Sequence, residues 1–364
     1  MRNRGQGTSP ARCASSFIYK ISQDERRRLR LAAHAPYDAH MIDSSAIRPF
    51  LTKTLSETDF PFLGKKYTGK VRDVYDLGAQ IVLIATDRQS AFDYQWCSIP
   101  LKGQVLNQLS NWWFDQVKDV MPTHVVASPD PNVTIARKLK MVKFEVVVRA
   151  YLTGSTSTSA WVNYEKGERN FCGNALPDGM KKNQKLEKVI FTPSTKPETG
   201  HDVSMSPEGL VELGVTNTEE IARIRDGAFA LFERGQEVAA KRGLILVDTK
   251  YEMGYDAEGK LCVGDEVHTP DSSRYWVAAS YEERFARGKE PESLDKEFFR
   301  LWLKEQGFVD DGRPRPAVTD EARVMLAGKY VDLYERMTGM TFQIPADPDV
   351  PARIAKNLKA YAKA

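Results

Sequence analysis

The sequence predicts an α+β protein. Its apolar, β-branched runs are arranged as hairpins without regular βαβ alternation, and its later part turns helical. Gly69 to Tyr75, a Leu77–Gln80 turn and Ile81 to Ala85 read as a β hairpin. Ser110 to Val120, with Trp112, Trp113, Phe114 and Val117, has helical spacing, and Phe144 to Arg149 is a buried strand ending on a charge. Thr216-Asn-Thr-Glu219 has the pattern of a capping box, and Ile221, Ile224, Ala228, Leu231 and Val238 keep one helical face until Gly243 ends it. That helix feeds a strand from Leu244, which turns at Tyr255–Gly259 and returns through Leu261–Val263. Helices follow at Glu297–Gln306 and Asp320–Thr338, the latter closed by Gly339, and a last short helix lies beyond the Asp347–Pro351 break.

A chain of 364 residues with 41% hydrophobic content suffices for two domains or one large one. The expected division is an N-terminal extension over 1–40, an N-terminal β lobe over 41–143, and an α+β domain over 144–364 whose helical region starts at about 281. The extension has arginines at 2, 4 and 12 before any acid, and its charge cluster at Asp24–Arg30 lacks a core face, so it is expected to be mobile. A transit peptide is the alternative, but the amphipathic period is missing. A net charge of +3 argues against nucleic acid as a partner, and the lack of a run of about 18 apolar residues argues against a membrane span. Cysteines at 13, 97, 172 and 262 are too far apart for a metal knuckle, and their settings point to free thiols in a reducing compartment, here the cytoplasm.

Chemistry concentrates in LVDTKYEMG, Leu246 to Gly254. Alternation on a strand puts Asp248, Lys250 and Glu252 on one face, and the return strand carries Asp265 and Glu266 toward them. Carboxylates around one lysine suit a magnesium nucleotide, since a hard cation wants oxygen ligands and an ammonium holds a phosphate oxygen. A solvent-facing strand of alternating charges is the bland alternative. Gly64 to Val71 matches a P-loop except at the decisive hydroxyl position, where Val71 stands. What remains is a glycine hairpin, Gly69 to Arg72, with Lys70 and Arg72 able to cover phosphates or to form a solvated basic edge. Asp87, Arg88 and Ser90 follow a strand end, where they either line a cleft or cap a turn. Arg149, emerging from a buried strand before Ser155, takes either a substrate anion or a structural salt bridge.

Together GKVRDVY, ATDRQSAFD, FEVVVRAYLTGS, FTPSTK, LVDTKYEMG and GDEVHTPDSSRYW resemble the phosphoribosylaminoimidazole-succinocarboxamide synthase (SAICAR synthetase) family, from about Met41 to the C-terminus. The resemblance implies a SAICAR synthase-like fold, with an ATP-grasp or kinase-like antiparallel β lobe. It also implies an ATP-dependent ligase of purine biosynthesis joining 5-aminoimidazole-4-carboxylate ribonucleotide (CAIR) to L-aspartate. SAICAR, ADP and phosphate are the products, formed through an acyl phosphate.

Carried over by position, Glu252 and Asp265 look like Mg2+ ligands, while Lys250 and Asp248 sit beside the reacting groups. Gly69, Lys70, Val71 and Arg72, with Lys250 and Glu252, belong to the ATP site, and the stretch around Met141–Phe144 meets adenine. Arg149, Ser155 and Arg274 resemble the holders of the substrate nucleotide's anionic ends. Asp87, Arg88 and Ser90 contribute to the substrate or aspartate pocket. His268 reads as a satisfied structural histidine rather than a base. The implied partners are small molecules, with a monomer or small homo-oligomer as the assembly. A kinase and a non-catalytic nucleotide-binding regulator are the competing readings. The kinase lacks an HRD-type loop and a DFG segment here, and the regulator would tolerate loss of Lys250 or Glu252.

Overall fold

β1 (Lys65–Thr68), β2 (Arg72–Asp76) and β3 (Gln80–Ala85) form two successive antiparallel hairpins, joined to β7 (Val133–Arg137) and β6 (Val125–Asp130) in a five-stranded sheet ordered β1-β2-β3-β7-β6. β4 (Arg88–Ala91) and β5 (Tyr94–Ser98) make a separate hairpin between β3 and the helix Lys102–Val117. The computed structural model describes residues 42–196, 202–309, 312–346, 349–359 and 361. The expectations placed on residues 1–41 therefore lie outside the described residues, as does Asp347.

The second sheet has seven strands. β8 (Lys140–Met141) and β9 (Phe144–Leu152) precede a small hairpin of β10 (Asn170–Phe171) and β11 (Asn174–Ala175). β12 (Gln184–Phe191), β13 (Ser194–Thr195), β14 (Leu244–Tyr255), β15 (Leu261–Gly264) and β16 (Ser273–Val277) complete the strands. β14 is the spine: it pairs with β9 through Asp248–Tyr251, with β16 through Leu244–Thr249 and with β15 through Glu252–Tyr255. The expected hairpin from β14 into β15 is present, turning between Tyr255 and Leu261.

The helix Thr218–Lys241 packs along β14 and β9. Its true N-cap is Asn217, one residue past the start of the capping-box pattern: the Asn217 side chain accepts the Glu220 N–H at 2.9 Å, and Thr216 instead donates to the Glu220 carboxylate at 2.6 Å. Gly243, at φ +69°, ends the helix in the left-handed conformation that glycine adopts without a Cβ penalty. Gly235 lets the helix approach the sheet, since a Cβ there would lie 2.4 Å from His268 Cε1 and 2.6 Å from Leu246 Cδ2. The Asp320–Thr338 helix and its Gly339 cap fall where the spacing placed them. The earlier Trp-containing helix starts at Lys102, before its expected start, because this first turn is buried and held by tertiary contacts.

The expected boundary at residue 143 does not divide the structure. All described residues belong to one compact unit. β8 already pairs with β14, and the last helix, Val350–Leu358, packs Val350, Ile354 and Leu358 into the same core as Phe60, Tyr75, Val82 and Ile135 of the first sheet. A buried ion pair fixes that return, with Arg353 Nε 2.9 Å from Asp130 Oδ2. Among the described residues no helix is long and apolar enough to cross a membrane.

Candidate active site

The two sheets and the β4–β5 hairpin leave an open cleft of about 1080 Å³, roofed by Gly69–Arg72 and floored by Glu145, Lys250 and Asp265. Behind it a recess of about 170 Å³ is lined by Arg149, Asp248 and Arg274. Strand geometry explains the floor. Tyr251 and Met253 of β14 are fully buried, whereas the alternating Lys250 and Glu252 are partly open. Asp248 is nearly buried at the recess end of the same strand.

Lys250 Nζ lies 2.8 Å from Glu145 Oε1 and 3.1 Å from Glu252 Oε1, while Lys196 Nζ is 2.7 Å from Glu252 Oε2. Burial alone would depress the Lys250 ammonium, but Glu252 and Glu145 outweigh it and raise its pKa, so it stays charged. Glu252 faces the same burial, yet Lys250 and Lys196 hold its carboxyl below the usual range. Arg72 donates to Asp265 at 3.0 Å and contacts Glu266 at 2.7 Å. Asp265 is nonetheless shifted upward, by burial first and then by Glu266 and Glu252, against the pull of Arg72 and Lys250.

In the recess, Asp248 Oδ2 accepts from Arg274 Nη1 at 2.6 Å and Arg149 Nη1 at 3.3 Å. Arg149 is otherwise engaged by Thr192 Oγ1 at 2.9 Å and the Thr158 carbonyl at 3.2 Å, and Arg274 reaches Glu297 at 3.2 Å. Arg149 thus forms the structural ion pair of the two alternatives and, at the same time, lines the recess. Ser155 and Ser90 line the main cleft, and Lys70 at the hairpin tip pairs with Asp93 at 2.6 Å across its mouth.

Two expected site residues face elsewhere. Asp87 is buried and accepts the backbone N–H groups of Leu55 at 2.7 Å and Gly103 at 2.8 Å, and burial pushes its carboxyl up to about 6. Arg88 pairs with buried Asp73 at 2.8 Å and donates to the carbonyls of Ser56 and Gly69 at 2.6 and 3.0 Å. Arg88 braces the glycine hairpin from beneath, and Asp87 ties the Leu55 segment to the start of the Lys102–Val117 helix, because a polar side chain at the end of a buried strand must find partners inside the fold. Only Ser90 of that trio reaches the cleft. His268 is buried as a structural histidine, with Nε2 2.6 Å from the Tyr251 hydroxyl and burial lowering it to about 3, but it is not fully satisfied: its Nδ1 has no hydrogen-bond partner among the described residues.

The cleft also contains residues the sequence reading missed. Glu145 and Asp202 come from β9 and the segment after β13, with Lys196 beside them pairing with Glu252, and Lys296, Arg300 and Lys304 form a cationic wall at helical spacing. That i, i+4, i+8 repeat was a usable signal, although an exposed helix face shows the same pattern. The thiols Cys97, Cys172 and Cys262 are free and partly or fully buried, Cys172 within electrostatic reach of Arg149.

Fold and cleft together define an enzyme class that handles small polyanions: paired cations and carboxylates line a deep cleft beneath a glycine hairpin. Comparison with known proteins specifies it further. The SAICAR synthetase family model matches residues 65–314. A Legionella pneumophila phosphoribosylaminoimidazole-succinocarboxamide synthase is 51% identical over 313 residues, covering 84% of this chain and 98% of the relative. A chloroplastic relative from Arabidopsis thaliana is 48% identical over 340 residues, covering 92% and 82%. The solved Saccharomyces cerevisiae SAICAR synthase complexed with SAICAR superimposes with a TM-score of 0.68 at 31% identity, covering 80% of this chain and all of that one. A SAICAR synthetase in complex with ADP aligns with a TM-score of 0.59 at 26% identity, covering 77% and 100%. The chain belongs to the SAICAR synthetase family.

Proposed function

We propose that this chain joins the carboxylate of CAIR to the amine of L-aspartate at the expense of ATP, releasing ADP and phosphate. The observation that carries the reading is Lys250, a fully charged lysine held between Glu145 and Glu252 at the floor of a cleft whose roof is a glycine hairpin. A carboxylate is a poor acyl donor, so the reaction needs activation. The carboxylate oxygen attacks the γ-phosphorus and ADP leaves; the aspartate amine then attacks the acyl carbon, phosphate departs and the amine loses a proton. Positive charge beside two approaching anions is the main requirement of the first step, and Lys250 supplies it.

Glu252 and Asp265 suit magnesium, which is bound by one or two carboxylates together with substrate phosphates. The fit rests on the donor set: Glu252 stands in register with Gly264, which brings the next residue, Asp265, to the same end of the β14–β15 hairpin, and both offer the carboxylate oxygens a hard cation prefers. Among the described residues no three His, Cys, Asp or Glu side chains converge as a metal site, and the two carboxylates would leave the remaining positions to substrate oxygens and water. When bound, magnesium would neutralise phosphate charge. Gly69, Lys70 and Val71 would cover the phosphates, Lys70 after leaving Asp93. Arg72 acts one layer further out, by fixing Asp265 and Glu266. Arg149, Arg274 and Ser155 would position the ribonucleotide, with Asp248 orienting both arginines.

The kinase and regulator readings are separated from this one by product. ADP release that requires magnesium, CAIR and L-aspartate together, with a succinyl-bearing product, supports the ligase. Release without L-aspartate or no release at all would overturn it. Lys250→Met should abolish turnover, which a regulator would not need. The cytoplasmic, reducing placement rests on the unpaired Cys97, Cys172 and Cys262.

A further inference from the structure

Asn183 lines neither the cleft nor the recess, yet each of its polar atoms is engaged. Its backbone N–H donates to the Leu152 carbonyl at 2.7 Å, one step beyond the paired residues Gln184 and Leu152 that end the β9–β12 ladder. Its carbonyl accepts the Tyr281 hydroxyl at 2.8 Å. Its side-chain Oδ1 accepts the Thr153 hydroxyl at 2.6 Å, and its Nδ2 donates to Glu290 Oε2 at 3.0 Å. The residue is buried at φ +67°, a left-handed conformation that asparagine adopts more readily than other residues with a side chain. Its outer partners are themselves fixed. The Tyr281 ring, on the helix Ala278–Ala286, stacks on Trp276 with centroids 5.4 Å apart, and Glu290 also pairs with Lys182.

What this hub holds is the start of loop 153–159. Thr153 directly precedes Gly154, whose φ is +106° and where a Cβ would lie 2.4 Å from Ser159 Cβ and 3.1 Å from Arg274 Nη2. The loop thus runs tightly against Arg274, and its Thr158 carbonyl accepts from Arg149 Nη2 at 3.2 Å. Thr156 and Thr158 line both the cleft and the recess, and Ser155 lines the cleft. A shift at Thr153 is therefore passed on to Ser155 and to both arginines. We propose that Asn183 is a positioning residue that, from outside the cleft, sets loop 153–159 over Arg149 and Arg274. This rests on the ligase reading above, in which Ser155 and these arginines hold the ribonucleotide. Asn183 touches no substrate and acts through the Thr153 hydroxyl.

Two variants break the same bond from opposite sides. Thr153→Val removes the hydroxyl, and Asn183→Gly removes the side-chain acceptor while tolerating the positive φ. In the full chain each should raise the KM for CAIR about tenfold, since displacing a positioned group by about 1 Å can cost up to a hundredfold. The kcat should stay within about threefold, because contacts to a part of the substrate that does not react serve ground and transition states alike. The KM values for ATP and L-aspartate should also stay within about threefold. Thr153→Ser, which keeps the hydroxyl, should recover most of the loss. The double variant Thr153→Val/Asn183→Gly should be no worse in the KM for CAIR than Asn183→Gly alone.

Either single variant decides the matter if the other does not fold. A wild-type KM for CAIR in a folded Thr153→Val or Asn183→Gly overturns the assignment. So does a common rise in all three KM values, which marks a general loss of structure, and so do single effects that multiply in the double variant. Failure of the ligase reading is distinct, because the wild type would then show no ADP release dependent on CAIR and L-aspartate.

Discussion

Arg72 Nη1 lies 3.0 Å from Asp265 Oδ2, joining the glycine hairpin to a turn 193 residues further along the chain. The same guanidinium reaches Glu266 at 2.7 Å, and its side chain is only 12% exposed. The roof and the carboxylate floor of the cleft are thereby tied through one cation.

Removing that cation should harm both stability and turnover. Arg72→Met leaves two carboxylates without their partner, and breaking a buried pair from one side costs about 3–5 kcal/mol. Urea denaturation should show a loss near the lower end, since Asp265 is partly open. The Arg72→Met/Asp265→Asn double variant should be less destabilised than the two single effects added together. Additive effects would show that the pair is not coupled.

Asp265→Asn separates metal binding from folding. The neutral side chain is the form that burial, Glu266 and Glu252 favour, so the melting temperature should change little, by the equivalent of about 1 kcal/mol or less. Turnover should fall by more than about a hundredfold and need more magnesium for half-saturation. Wild-type activity at ordinary magnesium would remove Asp265 from the metal site.

The pH dependence of stability should expose Asp87. Its folded value of about 6 lies above the unfolded value of 3.8, so the folded state takes up a proton first as pH falls. The stability contribution is full below the unfolded value and is lost as pH rises through about 6. His124 and His268, lowered to about 3 by burial, act in the opposite sense below 6.5 and together outweigh Asp87, while Asp295, pushed up to about 6 by burial, acts with it, so the wild-type profile alone does not report Asp87. The difference between wild type and Asp87→Asn isolates the aspartate: it should grow in favour of the wild type by about 1.4 kcal/mol per pH unit between pH 6 and 4. Parallel unfolding curves over that range would contradict it.

Gly235→Ala tests the packing of the long helix. Alanine improves helix propensity by about 1 kcal/mol. Its Cβ, however, would meet the His268 ring at 2.4 Å, and that ring is pinned by the Tyr251 hydroxyl and packed edge-on against Trp113. Overpacking at a rigid site costs about 1–3 kcal/mol, so the variant should be less stable in thermal unfolding. A stabilised protein would show that the helix can move away from the sheet.

Much of this protein was legible in its residues. Local rules placed the Gly69–Ala85 hairpins, the β14–β15 turn and the Asp320–Thr338 helix, because caps, glycines and period-two alternation act within a few positions. The same alternation brought Asp248, Lys250 and Glu252 toward one site, and the motif resemblance identified the family. Tertiary structure decided what lies far apart in sequence. It alone showed that Glu145 pairs with Lys250, that Arg88 braces the hairpin while Asp87 ties Leu55 to Gly103, that Lys296 enters the cleft with a nearly unengaged ammonium, and that the last helix returns to the first sheet. The physical reason is that a polar side chain at a strand end satisfies local rules equally well facing a ligand or a buried partner. Only the packing of remote segments determines which partner is within hydrogen-bond reach.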